Sequence, residues 1–231
     1  LMLRGYAIYD TFVPVALNSG ENIYQGNNPQ TVPLFRAGYD AQWSAPPTGF
    51  EDVTDRVERN RLLTQAGLDY LRTNPDVIPE LLWTKLLVHW SIDIMPRRNP
   101  QPGETLRLTD AGTIAVVRDG QTITGVTDAN AAYNAGLFDT LARPLHVLYF
   151  GALLLLSIAG IGLSARYWRD VSLLWFVQIS MTLMYVLFHP STRYRAPSDP
   201  LLFLFAAYAV VTLMAYTAMQ LDRKNIFDGN A

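Results

Sequence analysis

Two arginines one residue apart, Arg193 and Arg195, lie in the segment HPSTRYRAPSDP at positions 189–200, together with His189, Tyr194 and Asp199. A guanidinium presents a rigid fork of N–H donors that fits a phosphate in bidentate fashion. On an extended backbone, residues i and i+2 point to one side, so the two forks would face a common target. Pro190, Pro197 and Pro200 restrict φ along the segment and lower the entropy lost on holding it still. Asp199 is spaced to pair with Arg195 across Pro197 and so to orient its guanidinium. A plainer reading stays open, in which both arginines anchor to lipid headgroups as flanking cations do.

The elements that must position these residues are apolar. Runs at 146–165, 171–188 and 201–219 contain 20, 18 and 19 residues and no Asp, Glu, Lys or Arg. A hydrocarbon core of ~30 Å is crossed by about 20 helical residues, and helices satisfy every backbone amide in lipid. Three transmembrane helices are therefore expected. The pentad RYWRD at 166–170 predicts a tight antiparallel turn between the first two, with Tyr167 and Trp168 at the interface. Arg166, Arg169, Arg223 and Lys224 then share one side, against Arg143, Arg193 and Arg195 on the other. That balance leans toward a cytoplasmic tail and an external residue range 1–145.

Residues 1–145 hold 12 Lys/Arg and 16 Asp/Glu, the composition of a soluble domain, whereas 146–231 hold 6 and 4. The turn formers of LNSGEN, GNNPQ and SAPPTG predict loops and short extended pieces over 1–50. A helix is expected from Thr54 or Asp55, as cap, to Asn74-Pro75, with Val57, Leu62, Ala66, Tyr70 and Leu71 as its apolar stripe. A second helix is expected over 79–95, with Lys85, His89 and Asp93 in one polar stripe and Trp83 and Trp90 a heptad apart. It reads either as a helix lying in the membrane interface or as one packed between the soluble domain and the spans with its polar stripe solvated. Asp119-Gly120 between β-prone residues signals a hairpin in an extended insertion at 97–145.

Much is excluded. The chain has no cysteine, so it carries no disulfide, thiolate nucleophile or Cys-based zinc site. It lacks a phosphate-cradling glycine loop, a nucleophile elbow and a metal-type His/Glu helix. His89, His146 and His189 are widely separated, and nothing at fixed spacing supplies His89 with a nucleophile. Glu51-Asp52 reads as helix-start acids. No basic groove with interleaved aromatics suggests nucleic acid. The fold class is mostly α: three transmembrane helices at 146–231, preceded by an external mixed helix and loop region at 1–96 and the hairpin insertion at 97–145. Leu1 is not a methionine, and the chain is expected to be part of a longer protein.

Three stretches carry a resemblance. FVPVALNSGENIYQGNNP supplies Phe12, Pro14, Val15, Asn18, Gly20, Tyr24, Gly26, Asn27, Asn28 and Pro29. DYLRTNPDVIPELLWTKLLVHW follows, and Arg193, Tyr194, Arg195, Pro197 and Pro200 form an Arg-Tyr-Arg-x-Pro-x-x-Pro signature. Together they resemble the C-terminal part of bacterial GT-C-type membrane glycosyltransferases, the family 39-like relatives of protein mannosyltransferases and of the lipid A aminoarabinose transferase. The chain departs from that pattern in QTVPLFRAG after Pro29. It also lacks the family's many N-terminal spans and the external loop bearing the catalytic carboxylate.

The resemblance implies transfer of a hexosyl or pentosyl group from a polyprenyl-phosphate donor at the outer face of the bacterial plasma membrane. Arg193, Arg195 and His189 would contact the lipid phosphate, and Asp199 and Tyr194 would orient them. Asn27, Asn28 and Tyr24 would form a substrate-side loop, although a turn whose asparagines bond nearby backbone accounts for them as well. The catalytic residue would lie upstream, no metal site is implied, and this portion alone would be inactive. Its partners would be membrane lipid, the donor and the missing N-terminal transmembrane region. The alternative is a non-catalytic three-span protein whose external domain binds an envelope partner.

Overall fold

A computed structural model describes residues 18–50, 52–123 and 137–228, so Phe12, Pro14, Val15 and Glu51 lie outside the described residues. Where turn-rich composition predicts loops, the chain forms two short helices, Ser19–Gly26 (α1) and Thr31–Arg36 (α2). The turn formers cluster at their ends, with Asn27, Asn28 and Pro29 making the connection. Gly20 and Gly26 are inside α1 because other backbone passes there. A Cβ would lie 2.1 Å from the Asn60 carbonyl oxygen at Gly20, and 1.5 Å from that of Phe188 at Gly26. The glycines mark close approach rather than turns.

The next helix follows its sequence signals. Asp55 accepts a hydrogen bond from the Val57 N–H at 3.0 Å and caps Arg56–Thr73 (α3), which stops at Asn74-Pro75. Its buried face is Leu63 and Gly67, one step round from the expected stripe, because Gly67 lets Ile23 of α1 approach. Ile78–His89 (α4) ends at Trp90, earlier than expected, and leaves Asp93 beyond the helix in a 2.6 Å ion pair with Arg97.

Three antiparallel strands follow in the order Glu104–Leu108 (β1), Ile114–Arg118 (β2) and Gln121–Ile123 (β3). The β2–β3 connection is the expected Asp119-Gly120 hairpin, with φ of 52° and 75° at its two residues. β1 adds a strand that the hairpin signal alone does not predict. Leu106 and Val116 close a small core over Leu34 and Tyr39.

The remaining helices are Leu137–Ser164 (α5), Trp168–Leu187 (α6), the single turn Thr192–Arg195 (α7) and Asp199–Asp228 (α8). The chain divides into two units, residues up to 136 with 182–194, and 137–181 with 195 onward. In the second unit α5 packs along α8. Ser157 Oγ donates to the Leu202 carbonyl at 2.8 Å, and a Cβ on Gly160 would lie 1.9 Å from the Phe205 oxygen. Helix backbones meet this closely only where small residues face each other.

The chain reverses at 166–170, as expected, through a 3₁₀ turn at Ala165–Tyr167 between α5 and α6. Gln178 of α6 donates to Ser198 Oγ at 3.3 Å, and Arg195, three residues before Ser198, lies over the Phe150 ring of α5. Residue 178 has therefore come back beside residue 150, where a straight helix would carry it about 40 Å away. The helical residues on both sides of the turn, Thr140–Leu187, number 48. Two helices are thus long and apolar enough to cross a membrane, Thr140–Leu187 and Asp199–Leu221. Only 28% and 22% of their most apolar windows are buried, unlike core helices of a soluble fold.

Candidate functional site

The site lies in the first unit, where the loop after α6 docks on the turn after α2. Gly38 adopts φ 81° to make that turn, and the following Asp40 caps a 3₁₀ turn at Ala41–Trp43. The loop is stitched to Met95. Its carbonyl accepts from Ser191 Oγ at 3.1 Å and Thr192 Oγ1 at 2.8 Å, and its N–H donates to Thr192 Oγ1 at 3.2 Å. With Pro190 buried beside them, these bonds give the loop the stiffness its prolines suggest.

Three donors converge on Asp40, whose side chain is sealed from solvent. Oδ1 accepts the Gln42 N–H at 3.0 Å and pairs with Nε2 of His189, also buried. Oδ2 receives Nη2 of Arg193 at 3.5 Å. Burial alone would raise the Asp40 carboxyl pKa. The His189 bond and charge, the Gln42 amide and the Arg193 charge outweigh it and hold the carboxyl below its ordinary value.

Arg193 is the outward member, with 55% of its side chain exposed. Its Nη2 also donates to the Tyr194 hydroxyl at 3.2 Å, and its guanidinium carbon sits 5.0 Å from the Tyr194 ring centroid. Tyr194 in turn stacks on Tyr185 at 5.2 Å, and Tyr185 on His89 at 5.7 Å. The guanidinium is gripped on one side and open on the other, a geometry able to receive an anion from solvent.

The two arginines do not face a common target, as an extended backbone would have them do. Arg193 and Arg195 lie in the helical turn α7, and residues two apart on a helix do not share a face. Arg195 is 1% exposed, ion-paired with Asp199 at 3.0 Å, and its guanidinium carbon lies 3.5 Å from the Phe150 ring centroid. The expected Arg195–Asp199 pair is present, and it secures the start of α8.

Asn27, Asn28 and Tyr24 also turn inward. Asn28 Oδ1 accepts the Gln30 N–H at 2.7 Å, and its Nδ2 donates to the Tyr24 carbonyl at 2.8 Å and to Ser44 Oγ at 3.0 Å. The Tyr24 hydroxyl donates to the Ala45 carbonyl at 3.0 Å. Asn27 Nδ2 donates to the Ile23 carbonyl at 2.8 Å, while its Oδ1 accepts from Lys85 Nζ at 2.8 Å. The asparagines build the turn.

That last bond overturns the solvated polar stripe on α4. Lys85 and His89 are fully buried. Lys85 Nζ donates to the Leu187 carbonyl at 3.2 Å besides Asn27, and burial pushes its pKa down to about 7. The outward face of α4 carries Trp83 and Leu87 instead.

Compared with family models, curated proteins and solved structures, the chain matches none.

Two residues of the site, Asp40 and Lys85, are not assigned to it by sequence. Asp40 does carry a signal: it is the one acidic residue between Glu21 and Glu51, amid apolar and turn-forming neighbours. Among the described residues no three His, Asp or Glu side chains gather as a metal would need.

Proposed function

We propose that this chain is the C-terminal part of a membrane glycosyltransferase that moves a sugar from a polyprenyl-phosphate donor, with Arg193 receiving the phosphate. The observation that carries this reading is the half-exposed Arg193 guanidinium, held from behind by the buried Asp40. When the glycosidic C–O bond breaks, its electron pair stays on the phosphate oxygen and the negative charge of the lipid phosphate grows. A guanidinium already fixed in place meets that charge with little reorganisation. The acceptor hydroxyl gives its proton to a carboxylate that this reading assigns to an upstream part of the protein. His189 holds Asp40, Asp40 and Tyr194 hold Arg193, and Arg195 with Asp199 secures the chain where the next helix begins.

Topology supports a three-span arrangement. Asp40 and His189 belong to one unit, so the chain departs from it before α5 and returns to it at the end of α6. Leaving and returning on one side of a bilayer takes an even number of crossings. Laid end to end, the 48 residues Thr140–Leu187 would make about 72 Å of helix at 1.5 Å per residue, more than twice a core of ~30 Å. Two crossings that reverse at the Ala165–Tyr167 turn, followed by Asp199–Leu221, fit both facts. Arg166 and Arg169 stack on Tyr167 and Trp168 there, as an interfacial turn would. In this reading residues 1–145 and 189–200 face outward from the bacterial plasma membrane and the tail is cytoplasmic.

The test is sugar transfer in membranes holding the native protein, with labelled polyprenyl-phosphate sugars offered in turn to wild type and Arg193→Ala. Transfer by wild type that is lost in a normally inserted variant supports the proposal. Undiminished transfer by the variant, or no transfer from any such donor by wild type, overturns it in favour of a non-catalytic membrane protein that binds an envelope partner.

A further inference from the structure

Helix α4 is built inside out for a helix on a water-soluble surface. Two polar side chains of its middle and last turns, Lys85 and His89, are fully buried, while Trp83 and Leu87, one turn apart on the opposite side, are 61% and 54% exposed. We infer that the Trp83–Leu87 face of α4 is a lipid-docking surface that seats the first unit on the interfacial region of the bilayer. This holds whatever reaction the protein performs.

Continuity with a candidate span argues for lipid as the occupant. α4 rests on the last turn of the run Thr140–Leu187, through Lys85 Nζ to the Leu187 carbonyl and through His89 stacked on Tyr185. That last turn exposes its own Leu183, Met184 and Leu187. The apolar surface therefore runs from the end of the membrane-length helix onto α4. Ile92 and Ile94, just beyond the helix, are exposed as well. Tryptophan is the side chain most at home at this depth, with an apolar ring and one N–H donor.

The charge pattern sets how α4 lies. Glu80, one turn before Trp83, pairs with Arg36 at 2.5 Å, and both are more than half exposed. That pair marks the end of the face that stays in water. The C-terminal end, with Leu87 and the isoleucines after it, enters deeper.

Trp83 reports its own depth. The native protein is reconstituted into phosphatidylcholine vesicles whose acyl chains carry bromine either near the headgroup or near the chain end, and wild-type emission is compared with that of Trp83→Phe. The difference between the two isolates Trp83 from the other tryptophans, and the conservative substitution preserves the ring that packs there. The inference expects most of the Trp83 emission to be lost with headgroup-side bromine and less with chain-end bromine. Equal quenching of wild type and variant by both lipids would overturn it. So would Trp83 emission that resists bromine and shifts with protein concentration, which would mean a second copy covers the face.

Discussion

The Nε2 atom of His189 bonds to Oδ1 of Asp40 across 149 positions of sequence, with both side chains shut off from solvent. The bond closes the first unit by tying the loop after α6 to the turn after α2, and it also leaves Asp40 Oδ2 free to grip Arg193. One carboxylate thus serves both the fold and the site.

Asp40→Ala strands the buried His189 and releases Arg193. Leaving a buried hydrogen-bonding group without its partner costs about 1–3 kcal/mol, so urea denaturation is expected to show a loss of that order. The folded carboxyl titrates below its ordinary value of 3.8, so the stabilisation is complete above that value and is lost as pH falls through the lower folded pKa. Asp40→Asn, which cannot ionise, is expected to lose less stability than wild type between neutral and strongly acidic pH. A parallel acid transition in both proteins would contradict this.

Lys85 gives the opposite signature. Its folded pKa of about 7 lies below the ordinary 10.5, so between these values the unfolded chain binds more protons than the folded one. Stability then rises with pH across that window, by about 1.4 kcal/mol per pH unit. Lys85→Met is expected to flatten the rise, as read from denaturation midpoints between neutral and alkaline pH. A variant that keeps the wild-type slope would refute the burial of a titrating amine there.

Gly26 has no room for a side chain, since a Cβ would overlap the Phe188 carbonyl oxygen at 1.5 Å. Gly26→Ala is expected to break the first unit, with loss of protease resistance in residues 18–123. Gly112→Leu would be strained because φ there is 73°, but it meets no atom within 4 Å and is expected to leave the unit resistant. Equal resistance of Gly26→Ala and wild type would contradict the packing of α1 on the end of α6.

Arg195→Ala removes the ion pair with Asp199 and the contact with the Phe150 ring. Its effect is expected in stability, about 3 kcal/mol for breaking a buried pair, and not in donor binding by the protein that remains folded. Thermal unfolding and donor binding measured on the same preparation separate the two. A stable Arg195→Ala protein that had lost donor binding would return Arg195 to the site.

The absence of cysteine makes topology simple to map. Single cysteines at Arg169 and at Ala196 are expected to label from opposite sides of a sealed membrane, because a reversal at Ala165–Tyr167 puts one crossing between them. Labelling of both from one side would contradict the three-span arrangement.

How much of this was legible in sequence varied with the range of the interaction. The membrane-length helices follow from composition, α3 from Asp55 and Asn74-Pro75, and the β2–β3 hairpin from Asp119-Gly120, all local signals. The inward turn of Lys85 was not legible. A stripe of Lys85, His89 and Asp93 has the same spacing whichever side its partners lie on, and those partners, Asn27 and the Leu187 carbonyl, are 58 and 102 positions away. Gly20 and Gly26 misled for the same reason: a glycine admitting a distant backbone looks, in sequence, like a glycine making a turn. The Arg-Tyr-Arg spacing pointed to a site, but its two guanidinium groups could be told apart only once α7 proved helical and Asp40 and Asp199 were seen to claim one each.

The central claim is that Arg193 receives a lipid phosphate. Equilibrium binding of polyprenyl phosphate to the native protein in nanodiscs of uncharged lipid tests it most directly, with the uncharged polyprenol and an anionic phospholipid as controls. A charge-assisted contact worth ~1.5–3 kcal/mol predicts that Arg193→Ala weakens polyprenyl phosphate binding at least about tenfold and leaves polyprenol binding unchanged. Unchanged affinity in the variant, or equal binding of the anionic phospholipid by wild type, would contradict the claim and leave Arg193 as a headgroup anchor.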